Sequence, residues 1–291
     1  MLSGLYAFPL TPLDEQQLHL GAFTQIIGRL AAAKIDGICV AGSTGSYAYL
    51  SREERALLAK LAVEAAQGIP VMVGIGANRQ RDVLQHLDDA QQAGAASVLL
   101  APLSYQPLSD SEVFGLYQAV SQASSVPVCV YINPRTTHFD FSDALLTHIA
   151  SLPNIASVKF PGVAAEQREA ARLAQYWRGQ LPEQVSLGIS GDAYAWAAIA
   201  GGFDIWYSVL AGLYPETCKV LLRSAQSESG EINKQLEPVW QLFRQHGSLR
   251  VVAAMALLAG LTPCDGLPRP LQPVAENALA EIRAVMERLQ W

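Results

Sequence analysis

The chain has 291 residues, 51% of them hydrophobic and 16% charged, with a formal net charge of -6. That is ample apolar material for a large core and too little charge for a disordered chain, and no basic run interleaved with aromatics is present to grip a phosphate backbone, so nucleic acid is set aside as a partner. The opening MLSGLYAFPLTPLDE lacks a basic n-region and reaches Pro9, Pro12 and acidic residues too soon for a signal peptide or a membrane span, so a cytoplasmic protein is expected.

Short β-branched runs alternate with longer amphipathic stretches up to about residue 225, the pattern of parallel strands joined by helical crossovers. The first strand is expected at LYAF and the second at IDGICV, which runs into AGSTGSYAYLS. There Gly42 and Gly45 bracket Ser43 and Thr44, and Ser51 with Glu54 three residues on predicts a capping box for the following helix. Two hydroxyls, small residues and open backbone amides suit a carboxylate, although short Gly/Ser/Thr turns are common, and no Walker lysine accompanies them to favour phosphate.

VMVGIG and SVLLAP give the third and fourth strands, and a helix is expected to start near Ser109. VPVCVYI is the fifth; alternation puts Cys129 and Tyr131 on one face and Val128 and Val130 on the other. The next helix starts near Ser142, and IASVKF is the sixth strand, with Ser157 and Lys159 opposite Ala156 and Val158. If the apolar pair meets the helices, Lys159 points into a barrel. VSLGIS and DIWYSV complete eight, which favours a closed (β/α)8 barrel over a doubly wound sheet, since no GxGxxG turn follows the first strand.

Residues 1–225 are therefore expected to form the barrel and residues 226–291 a C-terminal helical appendix of about three segments, packed on it through the stiff linker PCDGLPRPLQP. The cysteines at positions 39, 129, 218 and 264 have no CxxC spacing, and the five histidines fall in no HExxH pattern, so no metal is expected.

In such a barrel the chemistry sits where strands turn into loops at their C-terminal ends. An ammonium is costly to bury among apolar side chains, and the neutral amine is the form that attacks a ketone to make a Schiff base. An arbitrary strand lysine more often snorkels to the surface, and a lone Tyr131 would more often be a packing tyrosine. Together, on adjacent strands, they bring a phenol that can relay protons beside an amine that can form an imine. Trp177, Trp196, Trp206 and Tyr207 are further aromatic candidates for a pocket wall, with packing between helices and barrel as their ordinary alternative.

With these residues in place, FPLTPLDE, GSTGSYAYLSREE, GIGAN, VYINPRTT, SVKF and SGDAYAW together give a chain that resembles, over essentially its full length, the dihydrodipicolinate synthase and N-acetylneuraminate lyase family of class I pyruvate aldolases. The resemblance implies that Lys159 is the imine-forming lysine, Tyr131 the proton-relay phenol, and Ser43 with Thr44 the cradle for the keto acid's carboxylate, in a turn shaped by Gly42 and Gly45. It also implies that Gly191 and Asp192 border the second substrate, with helix capping an equal alternative for Asp192. No cofactor beyond the covalent lysine imine and no metal is implied, and a homo-oligomer, dimer or tetramer, is expected.

The sequence departs from the synthase pattern around the second substrate. Thr136 stands where the synthase has an arginine, with Arg135 one position earlier; Ser104 replaces the tyrosine lent across a subunit contact, with Tyr105 one place later; Ser46 replaces a glutamate. These changes argue against an aspartate-semialdehyde carboxylate and favour a lyase that cleaves or forms a 2-keto-3-deoxy sugar acid with pyruvate. A dehydratase or a synthase-like condensing enzyme on the same imine is the alternative, and a non-catalytic barrel that binds a keto acid is the reading from another class.

Overall fold

The computed structural model describes residues 1–162, 164–227 and 230–291. Eight strands, β1 (Gly4–Ala7), β2 (Gly37–Val40), β3 (Val71–Gly74), β4 (Ser97–Leu100), β5 (Val128–Tyr131), β6 (Ile155–Phe160), β7 (Ser186–Ser190) and β8 (Ile205–Ser208), pair in parallel in sequence order, and β8 pairs back onto β1 to close the barrel. The chain is a (β/α)8 barrel with helices appended at its C-terminal end, the class that its alternating runs predict. β6 occupies the six residues expected of it, whereas most of the others stop one or two residues short of the apolar runs. Beyond β3, for example, the Gly76 carbonyl accepts from the Arg55 guanidinium (2.9 Å) rather than extending the ladder.

The period of two sorts the strand residues into two cores. Tyr6, Cys39, Met72, Leu99, Cys129, Tyr131, Ile205 and Tyr207 form one apolar cluster, the barrel interior. The intervening Leu5, Ile38, Val73, Leu100, Val130, Val158, Leu187 and Trp206 join a larger cluster with helix residues such as Ile27, Leu58, Leu87 and Tyr117. Each such aliphatic or aromatic side chain contributes about 1.5–3 kcal/mol on burial. Val158 therefore meets the helices and Lys159, one residue on, enters the barrel.

The helices begin where their caps are. Ser51 accepts from the Glu54 N–H and Glu54 from the Ser51 N–H, a capping box that opens the helix Arg52–Ala65. Ser109 and Glu112 repeat the device for Asp110–Ala123, and Ser142 caps Asp143–Ala150. Such caps contribute about 1 kcal/mol each.

Among the described residues, four helices follow Pro215–Gln226 where about three were expected: Glu231–Gln235, Glu237–His246, Ser248–Leu258 and Glu276–Leu289. The extra break falls just before Pro238, whose ring fits the first turn of a helix but not its interior. Leu236, between the first two of these helices, and Trp240, Val251, Met255 and Ile282 within the others belong to the same core cluster as the outward faces of the strands. Trp291 stacks on Tyr214 at 3.9 Å and 17°. Among the described residues, no helix is long and apolar enough to cross a membrane.

Candidate active site

Lys159 is 4% exposed, yet no carboxylate or hydrogen-bond acceptor among the described residues pairs with its amine. Its Nζ lies among aromatic faces instead, 3.7 Å from the centre of the Phe8 ring, 4.1 Å from that of Tyr131 and 5.6 Å from that of Tyr207. The register of β5 and β6 pairs Tyr131 with Lys159, and that of β6 and β7 pairs Lys159 with Gly188. A side chain at Gly188 would overlap the Tyr207 ring, so the glycine is what lets that ring lie beneath the amine.

Tyr207 is fully buried, its hydroxyl 3.0 Å from Ser157 Oγ and 3.4 Å from Cys129 Sγ. Burial pushes the Tyr207 phenol and the Cys39 and Cys129 thiols up, so the floor beneath Lys159 is uncharged at neutral pH.

Tyr131 turns its hydroxyl towards the barrel mouth. Asn133 Nδ2 donates to it at 2.9 Å, and Ser43 Oγ lies 3.4 Å away. Because the amide donates to the phenol oxygen, the phenol's own proton is directed elsewhere. A small cavity opens here, walled by Ala41, Gly42, Ser43 and Tyr47 of the β2 loop, by Gly74 and Gly76, by Leu99 and Ala101, and by Tyr131.

The β2 loop that supplies most of this wall is strained. Ala41 and Ser46 adopt left-handed φ values of 50° and 57°, each costing on the order of 1 kcal/mol for a residue with a side chain. Between them, a Cβ at Gly42 would come within 2.9 Å of the Phe8 ring, the ring on which the Lys159 amine rests.

The structure brings together Lys159, Tyr131, Ser43, Gly42 and Tyr207. Thr44 is buried beside Ser43, and Gly45 packs against the backbone of Ala41. The remaining candidates lie elsewhere. Arg135 and Thr136 are exposed on a short helix, Pro134–Thr137, directly after β5, and Tyr105 is 91% exposed in the β4 loop. Gly191 has φ +83° and leads into the helix Asp192–Ala200.

Asp192 is buried, with Oδ1 accepting from Trp206 Nε1 (2.9 Å) and the Val209 N–H (3.3 Å), and Oδ2 from the Leu210 N–H (2.8 Å). Burial pushes this carboxyl up and the donors oppose it. Its acceptor capacity is spent on tying the β8 loop down.

Four residues that shape the site carried no role in the sequence reading: Phe8, Tyr47, Arg55 and Asn133. Phe8 had a signal, since alternation in LYAF places it on the Tyr6 face; the others depend on loop geometry. Among the described residues, one group of potential metal ligands converges, Asp14, His19 and Cys264, exposed or half-buried, and none of the three lines the cavity.

The profile of the dihydrodipicolinate synthetase family matches residues 1–289. The chain belongs to that family. It is 28% identical to the 4-hydroxy-tetrahydrodipicolinate synthase of Phenylobacterium zucineum over 98% of this chain and 97% of that protein. Among solved structures, the dihydrodipicolinate synthase of Agrobacterium tumefaciens superposes with a TM-score of 0.95 at 39% identity, covering 99% of this chain and 98% of that one. The chloride-inhibited dihydrodipicolinate synthase of Acinetobacter baumannii complexed with pyruvate shares the fold, with a TM-score of 0.87 at 23% identity over 100% and 99% of the two chains. The protein is thus an enzyme of the class I aldolase type; the family works through a lysine Schiff base with pyruvate and needs neither cofactor nor metal.

Proposed function

We propose that the protein is a lyase in which Lys159 forms an imine with pyruvate and joins it to, or releases it from, a hydroxylated aldehyde, so that its substrate is a 2-keto-3-deoxy sugar acid or a close relative. The Lys159 amine adds to the keto carbon and water leaves as the imine forms; the protonated imine then takes up the electron pair of the breaking carbon–carbon bond as an enamine. Tyr131 moves the protons, aimed by Asn133 and Ser43. The Ser43–Thr44 turn receives the keto acid's carboxylate on hydroxyls and amides. Tyr105, exposed in the β4 loop, suits a subunit contact in a dimer or tetramer.

The observation that favours a hydroxylated second substrate is the wall of the cavity, where hydroxyls of Ser43, Tyr47 and Tyr131 stand among glycines and small apolar groups. Sugar hydroxyls would find donors and acceptors there. The names of the relatives favour a second reading, a condensing synthase acting on pyruvate and a semialdehyde.

Product analysis separates the readings. A lyase releases pyruvate from 2-keto-3-deoxy sugar acids, a dehydratase on the same imine keeps all their carbons, and a synthase consumes pyruvate only with aspartate semialdehyde. Turnover of the semialdehyde alone would overturn the lyase proposal.

A further inference from the structure

Tyr47 opens the one-turn helix Tyr47–Tyr49 that joins the Gly42–Gly45 turn to the helix Arg52–Ala65. Arg55, in the first turn of that longer helix, faces inward and is only 5% exposed. Its Nη1 donates to the Gly76 carbonyl (2.9 Å) and its Nη2 to the Gly74 carbonyl (2.6 Å), which pins the guanidinium to the C-terminal end of β3. The Tyr47 ring lies 5.4 Å from this cation. Its edge runs along Gly76, where an added Cβ would stand 3.1 Å from the ring, so the phenol has little freedom to swing away.

The phenol held this way is 8% exposed and lines the cavity with Ser43 and Tyr131. Among the described residues its hydroxyl has no hydrogen-bond partner, although Ser43 and Tyr131 have each other. A hydroxyl at the cavity wall that bonds no protein group is available to a ligand oxygen in the cavity. Burial pushes the Tyr47 phenol up to about 12, and burial brings Arg55 down only to about 10, so a protonated donor stands beside a charged guanidinium throughout the neutral range.

We propose that Tyr47 determines specificity by hydrogen-bonding a hydroxyl of the aldehyde partner, and that Arg55 is the positioning residue that holds the phenol at the cavity wall. This rests on the lyase reading above and adds a residue to it: the phenol comes from the same chain, from the loop that also carries Ser43. A site whose donor the bound ligand covers discriminates against the analogue that lacks the matching oxygen more strongly than an apolar wall does, because the covered donor is then left unpaired.

The test compares two aldehydes with pyruvate, glyceraldehyde and its deoxy analogue propionaldehyde, in wild type, Tyr47→Phe and Arg55→Lys, with borohydride trapping of the pyruvyl adduct run alongside. In Tyr47→Phe the kcat/KM for glyceraldehyde is expected to fall roughly 10- to 100-fold, chiefly through KM, while that for propionaldehyde falls far less, so the preference collapses. Arg55→Lys, which keeps a charge but loses the two-carbonyl clamp, should lose part of the same preference. If the adduct forms in wild type and variants and the glyceraldehyde-to-propionaldehyde ratio stays at its wild-type value, the Tyr47 assignment is overturned while the imine chemistry stands. If wild type traps the adduct but exchanges with neither aldehyde, the hydroxyl-binding role is overturned too. If wild type traps nothing, the lyase reading fails first and takes this one with it.

Discussion

Tyr131 and Lys159 are register partners on β5 and β6, and the Lys159 Nζ lies 4.1 Å from the centre of the Tyr131 ring. The phenol is thus positioned by the same ladder that positions the amine, and its hydroxyl is reached by Asn133 and Ser43. In Tyr131→Phe the ring and its packing survive but the proton relay does not. Turnover should fall by roughly 10²- to 10⁴-fold, as for the loss of a general acid–base group, with thermal stability within a few degrees of wild type. Stopped-flow kinetics of adduct formation together with a melting curve would check this; unchanged turnover would remove Tyr131 from the mechanism.

Asp192 binds three N–H donors from β8 and its loop. In Asp192→Asn one oxygen is replaced by an NH2 group, so whichever way the amide turns, a donor faces a donor. A loss of about 2–3 kcal/mol in urea denaturation is expected, the cost of unpaired buried donors. A variant as stable as wild type with a changed KM for the second substrate would instead favour the substrate-bordering role that the SGDAYAW motif suggests.

His86 is buried, and burial, with Arg55 as the next cause, pulls its imidazole down to about 4. The unfolded chain binds a proton at His86 below about 6.5, whereas the folded chain does not until about 4. The contribution is therefore fully present above about pH 6.5, is lost as pH falls towards about 4, and changes no further below that; its size is on the order of 2 kcal/mol. Denaturation of wild type and His86→Leu at pH 7 and pH 5 should show wild type losing more stability over that interval. Parallel losses would show that His86 titrates normally in the folded protein.

Gly188 faces Lys159 across the β6–β7 ladder, and its missing side chain is the space that the Tyr207 ring fills. Gly188→Ala is expected to cost about 1–3 kcal/mol through overpacking and to slow imine formation by moving the ring beneath the amine. Calorimetry and adduct trapping on the same preparation would show both effects or neither.

The strand pattern made the fold and the heart of the site legible because both follow from a period of two. Once Val158 is placed against the helices, Lys159 has to enter the barrel, and the same argument places Tyr131 and Phe8. The capping boxes at Ser51 and Ser109 were equally readable, being local in sequence. What could not be read depends on backbone paths and long-range partners. Nothing in SGDAYAW shows that the Asp192 acceptors are used up by Trp206, Val209 and Leu210, residues 14 to 18 positions later. Nor does VYINPRTT show that Arg135 and Thr136 lie exposed on a short helix while Asn133, two residues before Arg135, reaches the phenol. Tyr47 was hidden in the same way, since its place at the cavity wall depends on the left-handed turn at Ser46 and on the Arg55 guanidinium behind it.

Schiff-base chemistry at this site requires the Lys159 amine as the nucleophile. Incubation with pyruvate and sodium borohydride, followed by intact-mass and peptide mass spectrometry, tests it most directly. One reduced pyruvyl adduct per chain, located on Lys159 and lost in Lys159→Ala, is the predicted result. An adduct on another lysine, or none across a range of pH and 2-keto acids, would contradict it.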